Sequence, residues 1–263
     1  MYITYLKGIL FIIHHFQNGS FPDAVFISLR MDIRFIGTGG AFQVNQVNSS
    51  ALVSMQQGNV LVDCGHSVFP ALVKSGLIEE IDAVLITHFH DDHVGSLSSL
   101  ILYHNLILQK GRLTLLTPNQ AFEDALVAFL SPSLGDPRER TAFQRISTWS
   151  SIQAIDTFGM HVPGMQTWAF TFSEQGSSFA YSGDLGDPTS FFQALRKADL
   201  PDLKVFHEMT YYKQVKAHTH YKVLESYRDE FEIYAYHCDP KSKPADMRVS
   251  LVIDSPYSIE TIH

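Results

Sequence analysis

A mixed α/β fold is the class this sequence predicts, on two observations. Short apolar runs of strand length alternate with segments of helical spacing, and Gly, Pro and Asn clusters close the runs. A third observation bears on function: histidines and aspartates recur where the strand-like runs end. At 263 residues, with 45% hydrophobic and 17% charged residues, the chain is long enough to bury a large core. One domain over residues 31–263 is the simplest partition.

Residues 1–30 read as an N-terminal extension outside that domain. Their apolar core, 9–13, is far shorter than the ~20 residues a membrane-spanning helix needs. It is followed by His14 and His15 and by no Ala-x-Ala pattern, which a secretory signal would show. Met31 opens a clean strand pattern and is a candidate translation start.

From there the elements follow in order. "MDIRFIGTGGAF" reads as a strand over 32–36 entering a glycine-rich turn, and "SSALVSMQQGNVLVDCG" as a hairpin tipped by Gln57, Gly58 and Asn59. Val68, Leu72 and Val73 give 67–76 helical spacing with Gly76 as a stop, and 81–86 is a buried strand. A helix over 94–108, a strand in "GRLTLLTP" and a helix over 119–130 continue the alternation. Residues 131–145 concentrate Pro, Gly and charge, which marks a loop or a partly helical insertion over the surface, able to close over a substrate or reach a partner subunit, with Arg138, Arg140 and Arg145 available for a phosphate. "SIQAIDTFGMHV", a hairpin turned at 174–177, "DLKVFHEMT" and "FEIYAYHCD" supply further strands, with helical spacing over 188–198 and 220–228. The sequence shows no internal repeat.

A net charge of −8 with dispersed Lys and Arg argues against a surface that grips long nucleic acid through many phosphates, and for a small substrate. Two cysteines, Cys64 and Cys238, cannot make a disulfide framework; reduced thiols in a cytoplasmic protein are the expectation.

The chemistry concentrates in "LITHFHDDHVGSL". On a short turn after a buried strand, His88 and His90 alternate toward one point, and Asp92 and His93 toward another. Imidazole and carboxylate donors without a thiolate set favour an open site for Zn²⁺, Mn²⁺ or Fe²⁺ over a closed structural zinc. His161, Asp184, His207 with Glu208, and His237 also end strand-like runs, where loops of an open α/β sheet converge. His104 and His263, like His14 and His15, have no such context.

These residues resemble the metal-binding signature of the metallo-β-lactamase superfamily, and "FIGTGGAF", "VDCG" and "YSGD" are similar to its ordered landmarks over about 32–238. The resemblance implies a four-layer αβ/βα sandwich holding two divalent metal ions, Zn²⁺ foremost. His88, His90 and His161 would hold one, Asp92, His93 and His237 the second, and Asp184 would bridge them. "HEMT" followed by "AHTH" resembles the Glu and His motifs of the ribonuclease Z and phosphodiesterase branch. That likeness implies Glu208 as partner to His218, the general acid that protonates the leaving oxygen after attack by a metal-bound hydroxide, with His220 as competitor.

Asp184 follows His161 by 23 positions, too few for the tRNA-clamping arm that several ribonuclease Z enzymes carry there. The compact layout looks instead like the cyclic-nucleotide phosphodiesterases of the phage anti-Pycsar type, and implies a small phosphodiester substrate and a homodimer. Candidate substrate contacts are Thr38 in the glycine turn, Tyr211 and His220, with Tyr212, Phe42 and the aromatics near Phe143 and Trp149 as further base platforms. The competing functions are a tRNA 3′-end endonuclease, a cyclic sugar-phosphate phosphodiesterase and, outside enzymes, a metal-free binding module.

Overall fold

The computed structural model describes residues 31–259, preceded by three short strands, β1 (Tyr2–Leu6), β2 (Ile9–Ile13) and β3 (Ile27–Ser28), paired antiparallel as one small sheet. His14, His15 and His263 lie outside the described residues. From residue 31 onward two six-stranded sheets follow one another along the chain. The first comprises β4 (Asp32–Gly37), β5 (Ser50–Met55), β6 (Gly58–Val62), β7 (Ala83–Leu85), β8 (Leu113–Thr117) and β9 (Thr141–Arg145). The second comprises β10 (Ile152–Asp156), β11 (Trp168–Glu174), β12 (Ser177–Tyr181), β13 (Leu203–Glu208), β14 (Glu232–Tyr236) and β15 (Ser250–Leu251).

Strand order in each sheet is the order of the chain. In both, the first three strands form an antiparallel meander and the remaining pairings are parallel. The two halves are therefore a topological repeat that the sequence does not display. The reason is that topology needs only matching apolar patterns and connection lengths, which leaves residue identities free.

β7 and β12 are buried along their whole length, as strands covered on both faces must be. Between the sheets lies an aromatic cluster: Phe35 sits 5.9 Å from Tyr181 and 5.1 Å from Phe206, and Tyr181 stacks 4.9 Å from Tyr236. Helices α1 (Val68–Ser75), α3 (Leu97–Leu106) and α4 (Gln120–Leu134) cover the first sheet, and α5 (Thr189–Ala198) buries Phe191, Phe192 and Leu195 against the second. The result is the expected four-layer αβ/βα sandwich. Two short helices, α2 (Asp91–Val94) and α6 (Tyr221–Glu225), flank the sheet edge where parallel strands end.

Several boundaries differ from expectation. The helix predicted over 94–108 is broken at Gly95–Ser96, because the Ser96 hydroxyl turns away to the Gly65 carbonyl at 2.5 Å and accepts from Phe69 N–H at 3.2 Å. The segment 131–145 is partly helical, the second of the two expected forms, with the last turn of α4 and a 3₁₀ turn, but it ends in an unexpected strand, β9. Leu130 and Leu134 bury one face of that last turn, which carries the helix past Pro132. Arg145 donates to Glu123 at 2.7 Å and Arg138 to Glu123 at 3.3 Å, so both guanidinium groups pin β9 and the 3₁₀ turn to α4. The two-residue edge strand β15 was not among the expected strands. Among the described residues no helix is long and apolar enough to cross a membrane.

Candidate metal centre

The carboxyl ends of β6, β7, β12, β13 and β14 meet at one edge of the sandwich. Asp63 follows β6, the residues 88–93 follow β7, Asp184 follows β12, Glu208 ends β13 and His237 follows β14. β10 runs parallel to β12, so the loop after it brings His161 to the same edge. The loop after β6 can pass beneath the cluster because residue 65 is glycine: a Cβ there would collide with the Asp92 carbonyl.

All seven residues expected as ligands converge. His88, His90, His161 and Asp184 form one group and Asp92, His93, Asp184 and His237 a second, with donor atoms in each within 4.8 Å of one another. Asp184 belongs to both. Its Oδ2 lies 3.4 Å from His93 Nε2, 3.5 Å from His237 Nε2, 3.8 Å from His161 Nε2 and 4.0 Å from His88 Nε2. His90 presents Nδ1 rather than Nε2, 3.1 Å from both His88 Nε2 and His161 Nε2.

The donor set fits a pair of cations. In a tetrahedral site with bonds of ~2.0–2.1 Å, neighbouring donors stand ~3.3–3.4 Å apart. The spacings here are of that size: 3.1 Å between His237 Nε2 and Asp92 Oδ2, and 3.3 Å between His93 Nε2 and Asp92 Oδ2. His93 Nε2 and Asp184 Oδ1 are also fully buried without a hydrogen-bond partner, which is rare unless something else satisfies them. The arrangement is held from outside. His93 Nδ1 donates to Asp63 Oδ2 at 2.9 Å, His161 Nδ1 to the Ala217 carbonyl at 2.7 Å, and His88 Nδ1 meets the Thr87 hydroxyl at 3.0 Å. Such contacts fix the tautomer, leaving the inward nitrogens free to coordinate.

Asp63 accepts further from Thr87 N–H at 2.8 Å and from the Thr87 hydroxyl at 3.0 Å. Asp63 lies in the landmark "VDCG", for which the sequence implied no role at this residue; its signal is a carboxylate directly after a buried strand. Asp63 at φ 62° and His237 at φ 66° both occupy the left-handed region. Non-glycine residues there cost about 1–3 kcal/mol and cluster where function holds them.

Electrostatics match the geometry. Burial opposes the Asp184 charge, yet His237, His93 and His88 hold its carboxyl well below the usual carboxylate range. Burial keeps His88 and His161 neutral by lowering both. His93, although burial works against its charge, is raised by Asp184 and Asp63 on either side. Cys64 and Cys238 stand outside the cluster; burial pushes each thiol up to about 12, and their contacts are the Ser96 and Tyr211 hydroxyls.

Beside the centre, His218 Nδ1 lies 3.0 Å from Glu208 Oε2 and 3.8 Å from Asp184 Oδ2. Glu208, fully buried, also accepts from Leu185 N–H at 3.1 Å and Thr219 N–H at 2.8 Å. Burial works against a charge on His218, but the Glu208 hydrogen bond and charge raise it to about 9. A cavity of about 440 Å³ opens above, lined by Phe42, His66, Asp91, Val162 and His218 together with His90, Asp92, His161, Asp184 and His237.

The candidate substrate contacts divide, Phe42 lining this cavity and the others not. Among the described residues lining this cavity, Thr38, Tyr211 and His220 do not appear. The Thr38 carbonyl accepts from His237 N–H at 2.7 Å, so this residue shapes the His237 turn. Tyr211 packs 6.3 Å from Tyr221 with its hydroxyl on Cys238, and His220 caps α6 by accepting from Lys222 N–H at 3.3 Å. His66 and Asp91, which do line the cavity and face each other at 3.4 Å, were missed. His104 is buried on α3 and donates to the Gly111 carbonyl at 3.1 Å.

Comparison with known proteins agrees with this geometry. A relative from Bacillus phage 010DV004, "Anti-Pycsar protein Apyc1", is 35% identical over 129 residues, 48% of this chain and 50% of that protein. The match thus spans half the length of that relative. Among solved structures, the short form of human tRNase Z superposes with TM-score 0.62 at 18% identity, covering 84% of this chain and 96% of its own. A diphosphatase of the PhnP family gives TM-score 0.60 at 20% identity, covering 84% and 94%. Both share the fold. The family model described as "Anti-Pycsar protein Apyc1" matches residues 31–251, and the chain belongs to that family.

Proposed function

We propose that this protein is a metal-dependent phosphodiesterase that hydrolyses a small cyclic nucleotide, with His218 as general acid and Glu208 as its positioning partner. The observation that carries the reading is Asp184 Oδ2, which stands 3.4–4.0 Å from imidazole nitrogens of both donor groups. On this reading His88, His90 and His161 would hold one divalent cation and Asp92, His93 and His237 another, with Asp184 a member of both donor groups. Zn²⁺ suits the nitrogen-rich donor set best, and Mn²⁺ or Fe²⁺ also match it. When bound, the pair supplies Lewis acidity and lowers the pKa of water at the site.

The chain's own residues do the rest. Glu208 holds His218 by Nδ1, so the other ring nitrogen carries the proton that the departing ribose oxygen needs. Glu208 itself is fixed by the Leu185 and Thr219 amides, which keeps the imidazole from rotating away. A cavity of about 440 Å³ suits one nucleotide, and no Lys or Arg lines it among the described residues. Both features speak for a small diester and against a polynucleotide. Membership of the anti-Pycsar family supports the substrate class, in line with the resemblance to compact cyclic-nucleotide phosphodiesterases. A homodimer belongs to the same proposal and is read by light scattering of the purified protein.

A substrate panel tests it: 3′,5′-cyclic mononucleotides, cyclic dinucleotides, bis-p-nitrophenyl phosphate and precursor tRNA, with metal content measured in parallel. The expected result is conversion of a cyclic mononucleotide to a linear monophosphate, abolished by chelation and restored by metal. Cleavage of precursor tRNA with cyclic nucleotides untouched would overturn it.

A further inference from the structure

The loop between β4 and β5 carries a feature that neither the centre nor the core explains. Phe42 is 93% exposed and Val44 91% exposed, although each is a large apolar side chain. Such residues are informative when they sit at a binding site rather than scattered over a surface. The loop that carries them is folded: Gly39 N–H donates to Val47 O at 2.9 Å, Gln46 N–H to Gln43 O at 3.0 Å, and Ser49 N–H to Gly39 O at 2.8 Å. Phe42 is therefore held outward by a structured turn.

That turn is seated on the metal centre. Gly40 lies so close to the His237 ring that a Cβ there would stand 2.9 Å from Cε1, and the His237 amide donates to Thr38 O at 2.7 Å. Two residues beyond Gly40, Phe42 lines the same cavity as Asp92, Asp184 and His218. Among the described residues lining that cavity, it is the one Phe, Tyr or Trp. Of the imidazoles in that wall, His90, His161, His218 and His237 are engaged at the centre, and His66 faces Asp91 at 3.4 Å, which leaves Phe42 as the large apolar ring open to a base.

We infer that Phe42 is the platform on which the nucleobase of the substrate stacks, and that it sets the preference for nucleotides over other diesters. This rests on the proposed phosphodiesterase activity. Stacking on an exposed ring fits every nucleobase, since each has a π-face, and it explains why a large apolar group stays exposed at the rim.

The test compares a 3′,5′-cyclic nucleotide with the 3′,5′-cyclic phosphate of 1-O-methylribose, which has no base. For Phe42→Ala the ratio of kcat/KM between nucleotide and baseless diester falls about tenfold, through KM of the nucleotide. Phe42→Trp keeps the wild-type ratio, because the platform persists. An unchanged ratio in Phe42→Ala, or a fall that Trp does not rescue, overturns the stacking role. A change from the wild-type oligomeric state in Phe42→Ala also overturns it and assigns the ring to a subunit contact. Wild-type protein that turns over neither cyclic diester fails the proposed activity itself, whereas active wild type with an insensitive ratio fails the platform alone.

Discussion

His218 Nδ1 and Glu208 Oε2 stand 3.0 Å apart, the carboxylate wholly buried and the imidazole reaching the cavity. Burial pushes the Glu208 carboxyl up, with the His218 hydrogen bond and charge working against that rise, and Glu208 in turn raises His218 to about 9 although burial opposes its charge. His218→Ala is expected to lower turnover of a cyclic nucleotide by about 10²–10⁴-fold, the usual contribution of a general acid. With bis-p-nitrophenyl phosphate, whose nitrophenolate departs without a proton, the loss is expected to be much smaller. Metal content by mass spectrometry is expected to stay at the wild-type value. Equal losses on both substrates would remove the acid role.

Because Asp184 is shared by both donor groups, its replacement acts on the whole centre. Asp184→Ala is expected to lose bound metal, read by elemental analysis. Saturating metal at about 100 times its Kd stabilises a folded protein by about 2.7 kcal/mol. For a chain of this size each kcal/mol moves Tm by about 2–4 °C. Chelation should therefore lower the wild-type Tm by roughly 5–10 °C and leave Asp184→Ala nearly unmoved. His93 is raised in the metal-free protein by Asp184 and Asp63 after burial has opposed it, so metal must displace its proton. Affinity should rise with pH, and calorimetry in buffers of different ionisation enthalpy should show protons released.

Much of this centre was legible because its chemistry is local. His88, His90, Asp92 and His93 lie within one turn after one strand, where spacing alone implies convergence. His161, Asp184 and His237 were reachable through strand ends and resemblance, since parallel strands deliver their carboxyl ends to one edge. Side-chain direction was not legible. Tyr211 and His220 stand close in sequence to Glu208 and His218, but one turns under Cys238 and the other turns to cap α6, and no periodicity reports that choice. Asp63 and His66 were overlooked because a supporting carboxylate and a rim imidazole have no spacing rule of their own. The choice between loop and helix over 131–145 was left open for a similar reason: Pro and charge mark loops on average, and here the buried faces of Leu130 and Leu134 decide for the helix.

Asp63 supports the centre without touching a cation in the proposed scheme. Asp63→Ala strands Thr87 N–H, the Thr87 hydroxyl and His93 Nδ1–H in the interior, each a loss of about 1–3 kcal/mol. It also places alanine at φ 62°, where Asp and Asn are better tolerated. Asp63→Asn keeps the backbone and one acceptor oxygen, so it is expected to fold and to weaken metal binding by about 10–100-fold. Chelator-competition titration measures this, and unaltered affinity in Asp63→Asn would show that His93 is oriented by something else.

A pH effect is expected from His207, one residue from Glu208 but facing the opposite layer. Its ring lies 5.4 Å from Phe191 and 5.7 Å from Phe192, Nδ1 donates to the Glu208 carbonyl at 2.6 Å, and Nε2 is buried with no partner. Burial lowers it to about 4, because a second N–H would carry charge into an aromatic enclosure. The folded pKa lies below the unfolded value of about 6.5, so between those two values the unfolded chain binds more protons. Stability from this group is complete above pH 6.5 and is lost as pH falls toward 4, by roughly 3 kcal/mol in total. Carboxylates such as Asp92 add their own acid sensitivity, so the quantity to measure is a difference. In chelator, urea unfolding of wild type should lose more stability between pH 7 and pH 4 than His207→Leu does, by about that amount. Parallel curves for the two proteins would mean that the buried imidazole titrates as it does in water, contrary to its surroundings.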